Sequence, residues 1–198
     1  MKIIKYISLI TLALLLVACS KGESENKSSD QEAKATEIPK KVFSSQKSDE
    51  KISEDEMGSS IKKYLDTFDA LDENTSKIRD KDELNEKDQN KLNKLTKLTN
   101  KNDKNFKQFI ENNQLPKQYE KGSLKVSDYV TSVNELMNKI NDKVDATMDD
   151  SNTDQTKLKN VGEIKEINAQ YKKQVNGKKQ KEVEQFLNKH DIQTKAFE

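Results

Sequence analysis

Few groups in this sequence could carry covalent or coordination chemistry. They are one thiol (Cys19), one imidazole (His190), and a run of alternating acids and polar residues at Asp150-Ser151-Asn152-Thr153-Asp154. A nucleophile needs a base beside it and a third group to orient that base. His190 stands near the end of the last helical pattern, and spacing identifies no orienting neighbour for it. A cationic side chain near a helix C-terminus is favourable on structural grounds alone. Serine catalysis lacks a Gly-x-Ser-x-Gly elbow, and no glycine-rich phosphate loop is present. Paired carboxylates are abundant, but they fall on solvated helix faces. The D-x-N-x-D run opens like a calcium loop, yet the sixth position, where glycine makes the bend, is Gln155. The twelfth, where a bidentate glutamate closes the cage, is Val161. The expectation is a protein that is not an enzyme, with no catalytic residue, no metal and no cofactor.

Cys19 is placed for a different chemistry. Lys2 and Lys5 precede an apolar run from Ile7 to Val17, interrupted by Ser8 and Thr11. At about 1.5 Å per residue this run covers roughly 16 Å, half a bilayer core, which fits a signal peptide better than a membrane span. It ends in Leu16-Val17-Ala18-Cys19, the pattern of a lipobox. The thiol attacks a lipid donor, small Ala18 fits the peptidase, and an apolar residue three positions before the cut seats the segment. Each buried lipid CH₂ adds about 0.8 kcal/mol, so two or three acyl chains hold where one would not. The sequence therefore predicts a signal peptide over 1–18 and a lipidated Cys19 in the outer leaflet of the cytoplasmic membrane. Everything after it lies on the extracytoplasmic side.

Composition narrows the fold. Hydrophobic residues make up 31% and charged residues 36% of the 198, with 5 Gly, 2 Pro and no Trp. So little apolar material suits a narrow helical seam, and so few turn residues disfavour sheets. The formal charge is +1, and losing Lys2 and Lys5 with the signal leaves −1. A near-neutral mixture supplies no field for nucleic acid. With Cys19 the sole cysteine, no intrachain disulfide can form.

Residues 19–50 are rich in Ser, Lys, Glu and Gln and read as a flexible tether of about 30 Å r.m.s. reach. Ile38-Pro39-Lys40-Lys41-Val42-Phe43 is an apolar island within it, either a strand that docks on a partner or loose packing on the domain. A helical domain is expected over 51–198. Ser53 and Glu56 form a capping box, and Met57, Ile61, Tyr64, Phe68 and Leu71 come after it at helical spacing. The stripe lapses between Glu73 and Lys81. Asp80 and Glu83 could cap a second helix there, or one long bent helix could run through. Leu92, Leu95, Thr99, Asn102, Phe106 and Phe109 make the next seam, and Pro116 and Gly122 mark a turn. Val126, Val130, Val133, Met137, Ile140 and Val144 repeat as heptads. After a turn at 149–154, a fourth stripe runs Val161, Ile164, Asn168, Tyr171 and Val175, stopped by Asn176-Gly177, and a short helix carries Val183, Phe186 and Leu187. Alternating steps of three and four residues indicate long helices packed nearly parallel to one another. The predicted fold is all-α, an elongated three- or four-helix bundle with a short C-terminal helix.

Asn102 is a polar residue on an apolar seam. It is either part of a contact motif with Asp103 and Phe106 or a buried amide that fixes helix register, with Asn168 a similar device that could bond to it. Asn102-Asp103-Lys104-Asn105-Phe106 reads N-D-x-x-F. Together with the lipobox and a terminus ending Lys195-Ala196-Phe197, the chain resembles the NDxxF-motif lipoproteins of staphylococci. In general design it also resembles small helical cell-wall-binding lipoproteins of those bacteria. The resemblance implies a Gram-positive cell surface and no particular activity, and it marks Asn102, Asp103 and Phe106 for testing without assigning them roles. The expected function is a binding module at the cell envelope with a protein or envelope partner. The alternatives are a small-ligand or cation receptor, or a protective, immunity-type lipoprotein. Heptad seams also permit self-association.

Overall fold

The computed structural model describes residues 38–81, 84–148 and 153–197. Among them the chain is all-α, five helices packed as a bundle. These are α1 (Glu54–Arg79), α2 (Glu86–Glu111), α3 (Lys117–Met148), α4 (Asp154–Tyr171) and α5 (Gly177–Lys189), then a 3₁₀ turn at Lys195–Phe197. The expected signal peptide and lipobox, and most of the loop at 149–154, fall outside the described residues.

Each boundary has a local cause. The Ser53 side chain accepts from Glu56 N at 3.2 Å and opens α1, which carries Glu54, Asp55 and Glu56 at its positive end and Lys77 and Arg79 at its negative end. The first two helices are separate. The cap between them is Asn85 with Asp88, a full capping box, while Asp80 closes α1 rather than opening a helix. Asp88 also takes Lys81 Nζ at 2.6 Å, and that ammonium holds its carboxyl below the usual range. Pro116 stands just before α3, where its missing N–H costs nothing. Asn176 does not stop α4; it caps α5, and Gly177 is the first residue of that helix. At the end of α5, Asp191 takes the left-handed conformation (φ 53°). Asp191 N then bonds Asn188 O, and Ile192 N bonds Leu187 O, a Schellman closure that turns the tail back over α1. There Thr194 Oγ1 and Lys195 N donate to Asp66.

Gly122 corrects another expectation. It lies inside α3, not in a turn, and a Cβ there would come within 2.0 Å of the Phe186 ring. The glycine lets α5 lie close against α3.

Three apolar clusters hold the bundle. The largest joins Met57, Ile61, Tyr64 and Leu65 of α1 with Phe106, Phe109 and Ile110 of α2, Val126 and Val130 of α3, and Val183 and Leu187 of α5. The second, at the far end of the α1–α2 pair, contains Leu71, Ile78, Leu92 and Leu95. The third runs between α3 and α4 through Leu136, Ile140, Ile164, Ile167 and Tyr171. Thus α3 changes one neighbour along its length, α5 on its first half and α4 on its second, while α2 lies beside it along both.

The expected tether does not run free to Glu50. Val42, Phe43 and Ile52 are buried, Val42 in the second cluster and Phe43 and Ile52 in the first. The segment also pairs with the loop after α2: Asp49 N to Asn112 O at 2.6 Å, Gln114 N to Glu50 O at 2.8 Å and Ile52 N to Gln114 O at 3.0 Å. Asp49 reaches its partner through a left-handed φ of 59°. The packed domain therefore includes Ile38 to Lys51, because two large apolar side chains of the island find pockets on α1 and α2.

Candidate functional site

One turn of α2 ties together four parts of the molecule. Asn102 is 1% exposed; its Oδ1 accepts from Phe43 N at 2.9 Å, and its Nδ2 donates to the Tyr64 carbonyl on α1 at 3.1 Å. Asn105 Nδ2 donates to the Phe43 carbonyl at 2.7 Å. Both backbone polar groups of Phe43 are thus held by amides one helical turn apart on α2. Asp103 faces the other way. Its Oδ1 accepts from Tyr64 Oη at 2.8 Å and its Oδ2 from Asn134 Nδ2 of α3 at 2.7 Å. Phe106 lies face to face with Tyr64, centroids 4.1 Å apart and 3° from parallel, and meets Phe43 edge-on at 5.3 Å.

Burial pushes the Asp103 carboxyl above its ordinary range, against hydrogen bonds from Asn134, Tyr64 and Thr131 that favour the charged form. Burial, and next the Asp103 charge, raise Tyr64 well above the usual phenol range, so its hydroxyl stays a donor. A carboxyl raised in the folded state keeps its proton to higher pH than in the unfolded chain. Its contribution is therefore most favourable in acid. It declines as pH climbs from the ordinary carboxylate range to the raised folded value, and is level beyond. An Asp103→Asn variant keeps the acceptor for Tyr64 and can pair with a flipped Asn134. Its neutral-pH stability is expected within about 1 kcal/mol of the parent. Subtracting the two stability curves between acid and neutral pH should show the parent losing ground as pH rises. A pH-independent difference would mean Asp103 ionises as freely as in the unfolded chain.

The positions marked by N-D-x-x-F are therefore brought together, and their polar atoms are used within the chain. Asn102 acts as a register-fixing amide toward α1 and also grips the segment before α1. It does not bond Asn168, whose Oδ1 is buried without a partner on α4. His190 packs against the rings of Tyr119 (4.3 Å) and Phe186 (4.9 Å) at the C-cap of α5, its Nε2 buried and unpartnered. Among the described residues no group of three or more acids, histidines or cysteines is placed to hold a metal, and no helix is long and apolar enough to cross a membrane.

Beside this junction, α1, α2 and α3 leave a small cleft of about 20 Å³ between them. Asp72, Thr75 and Arg79 line it from α1, Thr96 and Thr99 from α2, and Asn134, Asn138 and Asn141 from α3. Asn134 belongs to both places. Burial raises the Asp72 carboxyl and lowers the Arg79 guanidinium, each opposed by attraction to the other. Reading seams from the sequence misses this cleft, because Phe68, Thr99 and Met137 fit continuous stripes, whereas Phe68, Thr99 and Met137 here form its walls. The signal for it lies in the asparagines at 134, 138 and 141, which fall at steps of four and three on one face of α3.

Comparison with protein-family models, with curated proteins and with solved structures finds no match to this chain.

Proposed function

We propose that this chain is a lipid-anchored surface protein of the bacterial envelope that works as a non-enzymatic binding module. The observation that carries the reading is Leu16-Val17-Ala18-Cys19 at the end of a short apolar run with lysines before it. Lipid on Cys19 attaches the chain to the outer leaflet, and the bundle acts outside the membrane. The helical domain suits this role, since its conspicuous polar cluster is spent on holding helices and the preceding segment together rather than on a nucleophile and base. The N-D-x-x-F segment and the lipobox together are the basis for placing it with the NDxxF-motif lipoproteins of a Gram-positive surface.

The anchor is tested by expressing the full precursor and its Cys19→Ala variant in a Gram-positive host and partitioning cell extracts with a phase-separating detergent. The parent should enter the detergent phase and incorporate labelled fatty acid, and the variant should do neither. Equal behaviour of the two would mean that Cys19 carries no lipid.

A second reading, a receptor for a cation or a very small polar ligand, is favoured by the small cleft between α1, α2 and α3 with Asp72 and Arg79 in its wall. In either reading nucleic acid is not a partner, and association between copies is open to a sedimentation measurement.

A further inference from the structure

Between Ile38 and Lys51 only Val42 and Phe43 are buried; Lys40 and Lys41 before them and Ser44, Ser45 and Gln46 after them are exposed. A row of amides holds this arm along α2. Asn102 and Asn105 take the N–H and the carbonyl of Phe43. Asn113, just past the end of the helix, accepts from Glu50 N at 3.0 Å and donates to Lys47 O at 3.1 Å. All four bonds go to backbone atoms, which any extended polypeptide presents, so the amides recognise a conformation rather than a sequence. Selectivity comes from the two plugs. Phe43 sits against the rings of Phe106 and Phe109 with Lys63 Nζ 5.9 Å from its centre, and Val42 enters the second apolar cluster. Backbone bonds joined to side-chain pockets make a groove for an extended peptide, filled here by the chain's own arm.

The arm turns onto the groove at Asp49, whose φ of 59° is left-handed and costs a non-glycine residue energy. Beyond it the chain is fixed, since Ile52 is buried and its N–H bonds Gln114 O. Before it, Ser44 to Gln46 make no hydrogen bond to the bundle among the described residues. Asp49 is thus a hinge under strain. It joins a part that must stay to a part held by two side chains, the amide row and the Lys47–Glu56 ion pair.

We propose that the groove on α2 accepts the same arm from a second copy of this chain, the two molecules exchanging Ile38 to Ser48 about Asp49. An exchanged arm makes in trans the contacts it makes in cis, so concentration and relief at the hinge decide between the two. The six residues from Phe43 to Ser48 reach about 20 Å when extended, roughly the width of two helices, so the second groove belongs to a bundle lying alongside. Copies anchored to one membrane meet at high local density, and to that extent the inference rests on the lipid-anchored reading.

The test uses full-length copies with two different tags in a Gram-positive host. An acceptor (Val42→Ser with Phe43→Ser) has an intact groove and an arm without plugs. A donor (Asn102→Ala with Asn105→Ala) has an intact arm and a weakened groove; if circular dichroism shows it unfolded, Asn105→Ala alone takes its place. Donor and acceptor, solubilised in detergent, should co-purify at least tenfold more than acceptor with acceptor or donor with donor, pairs that share the anchor and the bundle. A labelled peptide of residues 38–50 should bind the purified acceptor saturably, at least tenfold tighter than it binds the parent. It should also raise the acceptor's melting temperature, or fold an acceptor that is unfolded alone. The same peptide with Phe43→Ala should do neither. The proposal is overturned by mixed pairs no more abundant than like pairs, by a peptide that neither binds nor folds the acceptor, or by equal binding of the Phe43→Ala peptide. Peptide binding without mixed pairs overturns the second copy as occupant and gives the groove to another polypeptide. The peptide titration does not depend on lipid, so loss of the anchor reading in the Cys19→Ala partition is distinguishable from loss of the groove.

Discussion

Phe106→Ala is expected to lower folding stability by about 3–5 kcal/mol, with a fall in melting temperature of roughly 10 °C. Phe106 is fully buried, its ring stacked on Tyr64 at 4.1 Å and set edge-on to Phe43 at 5.3 Å, so removing it empties a space bounded by three chain segments. The ring contacts contribute beyond area burial, by about 0.5–1.5 kcal/mol per pair. The substitution also takes away the surface that sets the Tyr64 hydroxyl toward Asp103. Phe106→Leu, which keeps most of the volume, should recover more than half of the loss. Chemical denaturation of the three proteins checks this, and a cost below about 1 kcal/mol for Phe106→Ala would show that the neighbouring rings close the gap.

Asn102→Ala is expected to cost about 2–4 kcal/mol, because it strands the buried Phe43 N–H as well as releasing the Tyr64 carbonyl. The effect should be local before it is global. Amide exchange at Phe43 should accelerate by a hundredfold or more, and a protease should cut at Ser44 to Gln46, which are exposed in the parent. Asn105→Ala, at a half-buried position with one bond to Phe43 O, should cost about 1 kcal/mol. If Asn102 and Phe43 act as a unit, Phe43→Ala should cost little more in the Asn102→Ala background. Fully additive losses would mean that the amide supports only the α1–α2 register.

Much of the fold was legible because helix packing writes itself into sequence at short range. Met57, Ile61, Tyr64 and Leu71 fall on the predicted stripe and are buried, as are Leu92, Leu95, Phe106 and Phe109 on the next. The α3 stripe holds at Val126, Val130 and Ile140 but slips between them, where Asn134 and Leu136 turn inward and Val133 and Met137 are only half-buried. The reason is the change of neighbour along α3, from α5 to α4 with α2 beside it throughout, which no single heptad register can express. The grip on Phe43 was not legible at all. Its bonds join residues 59 and 62 positions apart, between an amide and a backbone, and such pairings leave no period in a sequence. The apolar island at Ile38 to Phe43 showed that something there could pack, without showing on what. Asp103 could be named from the motif, but its partners Tyr64 and Asn134 lie on two other helices and meet it only when the bundle closes.

The hold on Phe43 has a mechanical consequence. The backbone of Phe43 is fastened to the middle of α2, so a pull applied upstream of Ile38 reaches Asn102 and Asn105 before it reaches the end of any helix. Once that grip yields, the load passes to the pairing of Asp49 to Ile52 with Asn112 to Gln114, and only then to the first turn of α1. Two breakaway links in series would lengthen the chain by a few residues each while the helices stay folded. The bundle is thus sprung against tugging from its N-terminal side, with a stepwise extension that stretching single molecules from that end would record.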